Sequence, residues 1–413
     1  IENQLNTGTF IPPKNQTVEE YLFDFVCLYG EKKWRISTYD GNTGLIANYI
    51  NPLIGKEQIQ SITTLFADKF MKRLQTTPAV STKHRKAKTE YVAPVTVEKI
   101  FKLLKCAFGQ AVKWEIIAKN PFEYVELPKT KYKKREIWDA DMIRKALDNC
   151  TDNKLYIAMN LSFACSLRIG EILGLTWDNV HITDDDIAED NAWIYVDKEL
   201  ERASKRSIEV LDNKDIYFTF PTLQPNTSTR LVLKKPKTDS SIRRIWLPKT
   251  LAYIMREHKK AQDELIGFLG DEYYNYNLVV AMMNGRPCEG RIIHKELHKL
   301  REELDLPNVV FHSLRHSSTT YKLKLNHGDL KATQGDTGHA EIDMITRVYA
   351  HILDEDRKVN AQKFEQAFYA NPDLRNVKPP EEKPQVDLAA LIEQLQKSPE
   401  LAQTLANLIK NNE

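Results

Sequence analysis

Two histidines, an arginine and a tyrosine in the C-terminal part of the sequence are of types that can attack a phosphate ester. His312 and Arg315 occur in FHSLRH, His339 ends the motif GDTGH, and Tyr349 lies ten residues beyond it. A guanidinium can bracket nonbridging phosphate oxygens with paired hydrogen bonds. A tyrosine, with a reference pKa of about 10, needs a nearby proton acceptor, for which His312 is the candidate. These residues predict attack on a phosphodiester by a side-chain nucleophile without a metal ion.

The size and composition of the chain are those of a protein with two or three domains. It has 413 residues, of which 42% are apolar and 28% charged. No run of about twenty apolar residues is present, so no membrane span is predicted. The first residues lack a basic start and an apolar segment, which argues against a signal peptide. Because Ile1 stands where an initiator methionine would be, we interpret residues 1–13 as the remnant of a preceding N-terminal segment.

The cysteines of the chain form no CxxC pair and are widely spaced. They are Cys27, Cys106, Cys150, Cys165 and Cys288. This spacing argues against a zinc site and against a disulfide framework, and it fits a reducing cytoplasm. We therefore expect no metal and no cofactor.

Positive charge is concentrated between Lys69 and Arg135, although the net charge of the whole chain is only +2. This stretch contains seventeen lysines and arginines against five glutamates and no aspartate. Segregated positive charge is typical of a protein that binds a polyanion. The alternative is a solvated face without a partner. The candidate DNA-binding residues are Lys83, His84, Arg85, Lys86, Lys88, Lys131, Lys133, Lys134 and Arg135.

The N-terminal part, residues 14–128, is predicted to form a compact all-α domain of four to five short helices. Thr17 and Glu20 form a capping-box pattern at the start of TVEEYLFDFVCLYG, whose apolar residues recur at helical spacing. The strongest helical pattern of this part begins at Thr96 with TVEKIFKLLKCAFGQAVKWEII. The basic stretch PKTKYKKRE has no apolar face, so we interpret residues 129–137 as a linker that could also follow phosphates.

The following part, residues 138–370, is predicted to be an α+β domain, mainly α with a small antiparallel sheet. Helical patterns near Trp138 give way to β-like pieces, which are AWIYVDKEL, DIYFTF, TRLVLKKPKT and SIRRIWLP. The last two pieces are separated by a few polar residues, which predicts a hairpin. Helical spacing returns at Lys249 and continues around His294, His316 and Ile345.

The tail, residues 371–413, combines a proline-rich tether with two short amphipathic helices. The stretch NPDLRNVKPPEEKPQ cannot lie inside a helix. The apolar residues of DLAALIEQLQ then form one stripe, and Ser398 and Pro399 fit the cap and first turn of a second helix. Such a tethered helix must bury its apolar face, for which a partner protomer is favoured over its own domain.

The motifs SLRIGEILGL, PKTDSSIRRIWLP, FHSLRH and GDTGHAEIDMITRVYAHI, in this order, resemble those of tyrosine recombinases. The resemblance is closest to the integrases of phages and conjugative transposons, and it extends from about Thr17 to Tyr369. It implies a helical core-DNA-binding domain and a catalytic domain that together form a C-shaped clamp around DNA. The departures are TGH in place of LGH, Cys165 where Thr or Gly is common, and an arm-binding domain reduced to at most one helix around Glu2 to Leu5.

The resemblance also implies the catalytic residues and their roles. They are Arg168, Lys237, His312, Arg315, His339 and Tyr349 as the nucleophile. The two arginines would hold the nonbridging oxygens and His312 would take the tyrosine proton. Lys237 would protonate the departing 5′-oxygen, and His339 would donate to a nonbridging oxygen. The product of cleavage would be a 3′-phosphotyrosyl intermediate, formed without metal or ATP.

Two of these assignments have structural alternatives that the residues themselves leave open. Arg168 lies in an apolar segment, and a structural ion pair with Glu171 is the competing interpretation. Lys237 competes with Lys234 and Lys235, because only the family motif favours the lysine before the threonine.

The nucleophile also has competitors. Tyr321 and Tyr369 are alternatives to Tyr349, which is preferred for its spacing from the GDTGH histidine. His316 and His351 are interpreted as structural or surface residues.

The resemblance implies a site-specific DNA recombinase that integrates and excises a mobile element in the bacterial cytoplasm, associated with the nucleoid. Its partners would be double-stranded attachment or transposon-end sites, bound by a homotetramer with exchanged C-terminal helices, and an excisionase or DNA-bending accessory protein. The alternatives are DNA relaxation like that of a type IB topoisomerase, and a noncatalytic DNA-binding accessory protein.

Overall fold

A computed structural model describes residues 15–81, 86–128, 136–224 and 226–325 of the chain. The helices of the first two ranges are α1 (Val18–Phe25), α2 (Glu31–Lys33), α3 (Ile36–Leu45), α4 (Asn51–Ile54), α5 (Thr64–Gln75) and α6 (Pro94–Lys113). Wider π-helical turns at Val26–Gly30 and Ile46–Ile50 continue α1 and α3. No helix of the described ranges is both long and apolar enough to cross a membrane.

The predicted capping box at the start of α1 is confirmed. The Thr17 hydroxyl accepts a hydrogen bond from the Glu20 amide at 3.2 Å, and the Glu20 carboxylate accepts one from the Thr17 amide at 2.8 Å. These bonds satisfy amides that the first turn of a helix leaves without a partner. The buried side of α1 then packs with α5 and α6 in a helical core, where the Tyr21 hydroxyl bonds to the Ala107 carbonyl at 2.5 Å.

The remaining described residues form a mixed α and β region, as predicted. Its helices are α7 (Ala140–Asp148), α8 (Asn153–Ala164), α9 (Ile169–Leu173), α10 (Asp184–Ala188), α11 (Lys205–Val210), α12 (Lys249–Leu269), α13 (Gly290–Glu303) and α14 (Phe311–Leu325). Its strands are β1 (Val180–His181), β2 (Trp193–Val196), β3 (Glu199–Ser204), β4 (Ile216–Thr219), β5 (Thr229–Lys234) and β6 (Arg243–Trp246). Helices α8, α9, α13 and α14 pack around a second core, which lies C-terminal to Trp138.

The strands form two antiparallel three-stranded sheets, ordered β1-β2-β6 and β3-β5-β4. Strand β6 pairs with β2, with Trp193 opposite Trp246 and Val196 opposite Arg243. Strand β5 pairs instead with β3 and β4. The predicted hairpin between the last two β-like pieces is therefore wrong, because these strands belong to different sheets. The segment between them, Lys235–Ile242, crosses from one sheet to the other and is called the Lys237 loop below.

The sheet β3-β5-β4 contributes to both cores. Adjacent residues of a strand point to opposite faces. Val232 accordingly belongs to the helical core, while Leu233 belongs to the core that follows Trp138. Ala203 and Leu200 divide in the same way on β3. This sheet thus fixes the helices α1–α6 against the elements that carry the candidate catalytic residues.

Candidate active site

Arg168 stands at the start of α9, directly after a tight turn that follows α8. Ser166 in this turn is completely buried and has a φ of +54°, which a residue with a β-carbon rarely adopts. At the other end of α9, Gly174 lies so close to β3 that a β-carbon would meet the Glu199 backbone at 2.8 Å. The turn and this close approach together fix the position of α9.

Glu171 binds two arginines at the centre of the site and interacts with a third through its charge. Its side chain is buried, and Oε1 accepts a hydrogen bond from Arg168 Nη1 at 2.7 Å while Oε2 accepts one from the Arg168 amide at 3.0 Å. Arg243 Nη2 donates to Oε2 at 3.4 Å. Burial acts to raise the pKa of the Glu171 carboxyl, but Arg243 and Arg168, with a smaller effect of Arg315, hold it below its usual value. The carboxylate is thus charged near neutral pH.

The ion pair between Arg168 and Glu171 was the structural alternative to a catalytic role, and the ion pair is present. It does not exclude the role, because about a third of the Arg168 side chain is exposed and a guanidinium has five N–H donors.

Arg315 reaches the same place from α14. It is almost completely buried, and its Nη1 donates to the carbonyl of Ser166. The hydroxyls of Ser166 and Ser318 are 2.6 Å apart, so α14 is bonded twice to the turn before Arg168. His312 lies one turn earlier on α14 with an exposed side chain, and its ring meets that of His316 edge-on at 4.8 Å between centroids. The structure therefore joins Arg168, Arg315 and the His312 helix.

The competing lysines have different environments. Lys234, at the end of β5, is buried between Glu199 at 3.1 Å and Glu201. Lys235 pairs with Asp239 at 3.0 Å, and this hydrogen bond and charge raise the pKa of Lys235, which makes it a weaker acid. Lys237 is exposed, and within the described ranges no ion pair or hydrogen bond of its side chain is recorded. These environments favour Lys237 as a proton donor.

The Lys237 loop is attached to the arginines by hydroxyl groups. The Thr238 and Ser241 hydroxyls are 2.9 Å apart, and Ser241 Oγ accepts from Arg168 Nη1 at 3.3 Å. Arg243 Nη1 donates to the Ser241 carbonyl at 2.8 Å. Lys237 therefore lies four residues before Ser241, the residue that binds the loop to the Arg168 guanidinium.

Unfolding measurements should separate the two lysines. Lys234→Ala is expected to lower the free energy of unfolding by about 1–3 kcal/mol, because it leaves the partly buried carboxylates of Glu199 and Glu201 without their cation. Lys237→Ala should change it by less than about 0.5 kcal/mol, as is usual at an exposed position. Urea unfolding of both variants tests this, and equal stability losses would contradict the assignment of Lys234 to a structural role.

Several predicted residues fall outside the described part of the chain. His339 and Tyr349 lie beyond residue 325, as does the whole tail. Among the candidate DNA-binding residues only Lys86 and Lys88 are described, and both are exposed. The proposed contacts of the others therefore remain predictions.

The structure adds three residues that the sequence did not single out as parts of the site. The sequence indicates Glu171 only as an ion-pair partner of Arg168, and its motifs do not single out Ser241 or Arg243. The available signal was local, since Glu171 is three residues after Arg168, and SSIRR directly follows the lysine motif. The resemblance implies that Arg168 and Lys237 share one site, but no pattern in the sequence indicates that Ser241 and Arg243 contact Arg168 and Glu171.

Comparisons with known proteins find similar sequences among tyrosine recombinases and integrases. The chain is 25% identical over 275 residues to a XerC-like tyrosine recombinase of Caldanaerobacter subterraneus, a match that covers 64% of each chain. It is also 25% identical over 331 residues to the ICEBs1 integrase of Bacillus subtilis, covering 79% of this chain and 77% of that protein. The chain is similar in sequence to tyrosine recombinases and integrases. No protein-family model matches the chain.

Solved structures of tyrosine recombinases share the fold. The integrase of transposon Tn1549 in complex with a circular intermediate DNA matches 84% of this chain and 99% of its own, with 18% identity and a TM-score of 0.64. A lambda integrase tetramer bound to a Holliday junction matches 84% of this chain and 83% of its own, with 15% identity and a TM-score of 0.51. The predicted fold class, mainly α with a small antiparallel sheet, is confirmed, although the described residues form two such sheets.

Proposed function

We propose that the protein is a site-specific DNA recombinase that integrates and excises a mobile genetic element. The proteins that this chain resembles include the ICEBs1 integrase in sequence and the Tn1549 integrase in fold. The observation that carries the proposal is the pair of guanidiniums, Arg168 and Arg315, joined through the Ser166 turn and the buried Glu171. A fixed pair of guanidiniums suits a phosphate group whose oxygens gain charge during attack.

The proposed reaction assigns one role to each residue. The Tyr349 oxygen bonds to phosphorus after its proton passes to His312, and the bond from phosphorus to the 5′-oxygen breaks. Lys237 gives the leaving 5′-oxygen its proton. The two arginines, with His339, hold the nonbridging oxygens throughout. The 5′-hydroxyl of another strand then gives its proton to Lys237 and displaces the tyrosine, which recovers its own proton from His312, so the strands are joined and the enzyme is restored.

The proposed substrate is duplex DNA at attachment or transposon-end sites, bound by four protomers on two sites. The lambda integrase tetramer on a Holliday junction supports this assembly. The proposal includes an exchange of the amphipathic tail between protomers, an excisionase or DNA-bending accessory protein, and a location at the bacterial nucleoid. Lys86 and Lys88, which are exposed and precede α6 in the chain, would contribute to phosphate binding.

A nicked duplex that carries an end of the element tests the proposed function. Cleavage next to the nick releases a short strand that diffuses away, so the covalent protein–DNA species accumulates and is seen as a slower band on a denaturing gel. No covalent species on any element end would favour a noncatalytic DNA-binding protein. Relaxation of supercoiled plasmid that lacks such an end would favour a topoisomerase.

A further inference from the structure

The Lys237 loop is held at its other end by a residue from the helical part of the chain. Arg35 Nη1 donates a hydrogen bond of 2.5 Å to the carbonyl of Pro236, the residue directly before Lys237. The two residues are 201 positions apart in the sequence. Pro236 is buried, whereas Lys237 is exposed. The last backbone group before the candidate acid is therefore fixed from outside the region that contains the other catalytic residues.

A second residue supports the same backbone. The Asp215 carbonyl accepts a hydrogen bond from the Lys235 amide at 2.8 Å, and the Asp215 carboxylate lies 3.9 Å from Arg35 Nε. Both side chains are 30% exposed, so this ion pair contributes little stability by itself. Its consequence is geometric, because it orients the guanidinium that binds Pro236.

The segment that carries Arg35 is itself fixed to the sheet β3-β5-β4. The Asp40 carboxylate accepts hydrogen bonds from the Ser204 hydroxyl at 2.7 Å and from the Ser207 hydroxyl at 3.1 Å. Lys214 Nζ donates to the Lys32 carbonyl at 2.8 Å. Contacts of residues before and after Arg35 thus fix its backbone to this sheet region. Through its bond to Pro236, Arg35 can therefore couple the position of the helical part to that of the loop.

We propose that Arg35 is a positioning residue that sets the reach of the Lys237 ammonium toward the leaving 5′-oxygen. The proposal rests on the proposed function, in which Lys237 donates that proton. A proton donor must come within hydrogen-bond distance of its acceptor, and a displacement of about 1 Å can cost about 100-fold in rate. The hydroxyl contacts of Thr238 and Ser241 fix the loop after Lys237, and Arg35 fixes it before Lys237. A helical part correctly seated on the sheet is then a condition for leaving-group protonation.

Two substrates separate positioning of the acid from general damage. One is the nicked duplex with an ordinary phosphodiester. The other has sulfur in place of the bridging 5′-oxygen, so that its leaving group is a thiolate, which departs without a proton. Arg35→Ala is expected to slow cleavage of the ordinary substrate by about 10- to 100-fold and that of the sulfur substrate by less than threefold. Lys237→Ala should show the same pattern, and the double variant should be no slower than Lys237→Ala alone. If Arg35→Ala does not fold, Arg35→Lys, which keeps the charge but loses the fork of donors, carries the same test.

Lys214→Ala is the matched control, because it removes one contact between the same two parts of the chain but keeps the Asp40 contacts and the Arg35 bond to Pro236. It should leave the cleavage rates of both substrates unchanged. Equal losses in Arg35→Ala and Lys214→Ala, on both substrates, would assign Arg35 to docking alone and overturn the proposal. Unchanged cleavage of the ordinary substrate by Arg35→Ala would also overturn it while the proposed function stands. A parent protein that cleaves neither substrate would overturn the proposed function and this inference with it.

Discussion

Replacing Tyr349 by phenylalanine is expected to abolish the covalent protein–DNA species on the nicked duplex. The substitution removes the one oxygen that forms the bond to phosphorus and leaves the ring in place. Loss of a nucleophile has no substitute in this mechanism, so the rate of adduct formation should fall by more than about 10⁴-fold. The measurement is the fraction of protein in the slower band over time. Affinity for the same duplex in a gel shift should stay within a few-fold of the parent.

The competing tyrosines provide matched controls. Tyr321 lies on α14 with 41% of its surface exposed, and its ring packs at 5.6 Å from that of Phe163. Tyr321→Phe keeps this packing and should leave the adduct unchanged, as should Tyr369→Phe. An adduct that survives in Tyr349→Phe but disappears in either control would move the nucleophile to that residue. Proteolysis of the adduct, followed by mass spectrometry of the DNA-linked peptide, identifies it directly.

Local patterns in the sequence predicted local structure well. The capping box of Thr17 and Glu20 involves groups three residues apart, so the pattern contains both partners of each hydrogen bond. The same holds for the ion pair between Arg168 and Glu171, which adjacent turns of backbone bring together. In both cases the partners are so close in sequence that their contact can be inferred without knowledge of the fold.

The pairing of strands was not accessible in the same way. Alternating apolar residues identified β5 and β6 as strands, but alternation shows which side of a strand is buried and not which strand lies beside it. Strand β6 pairs with β2, which ends 47 residues before β6 begins. The short polar segment between β5 and β6 suggested a hairpin, whereas it crosses between two sheets.

The choice among the three lysines shows the same limit. Lys234, Lys235 and Lys237 are nearly adjacent in the sequence, and no rule of spacing distinguishes an acid from an ion-pair partner. The partners that distinguish them, Glu199 and Glu201, come from strand β3, more than thirty residues upstream. The bond between Arg35 and Pro236 joins residues that are still farther apart in the sequence. Its role depends on how the helical part meets the sheet, which neither segment encodes alone.

Replacing Glu171 by glutamine is expected to lower the free energy of unfolding by about 3–5 kcal/mol. Its carboxylate is buried and bonded to Arg168 and Arg243, so the neutral amide leaves the buried Arg243 and the partly exposed Arg168 without a counter-charge. The amide also presents N–H groups to donors that need an acceptor. Urea unfolding at neutral pH measures the loss. Glu303→Gln, which changes an exposed carboxylate 3.7 Å from Lys299, should stay within about 0.5 kcal/mol of the parent.

The pH dependence of this difference follows from the sign of the pKa shift. The folded protein holds the pKa of Glu171 below the ordinary value of 4.5. A carboxyl with a lowered pKa contributes stability above its unfolded pKa, and this contribution disappears as the pH falls through the folded pKa. The stability gap between parent and Glu171→Gln should therefore be full at neutral pH and shrink below about pH 4.5. A gap that instead widens toward acid would contradict the charged state of Glu171.

The same substitution should slow cleavage in the folded protein, because Glu171 orients the guanidiniums before the phosphate arrives. The neutral amide offers the arginines one acceptor oxygen and no charge, so Arg168 is held by a weaker bond to residue 171 and by its contact with Ser241. Loss of a preorganised donor costs about 10²- to 10³-fold in rate. The adduct rate is measured at a temperature where the variant is folded. Unlike Arg35→Ala, Glu171→Gln should slow the sulfur substrate as well, since both leaving groups require the phosphate oxygens to be held. Parent-like cleavage would mean that the two arginines are positioned by α9 and α14 alone.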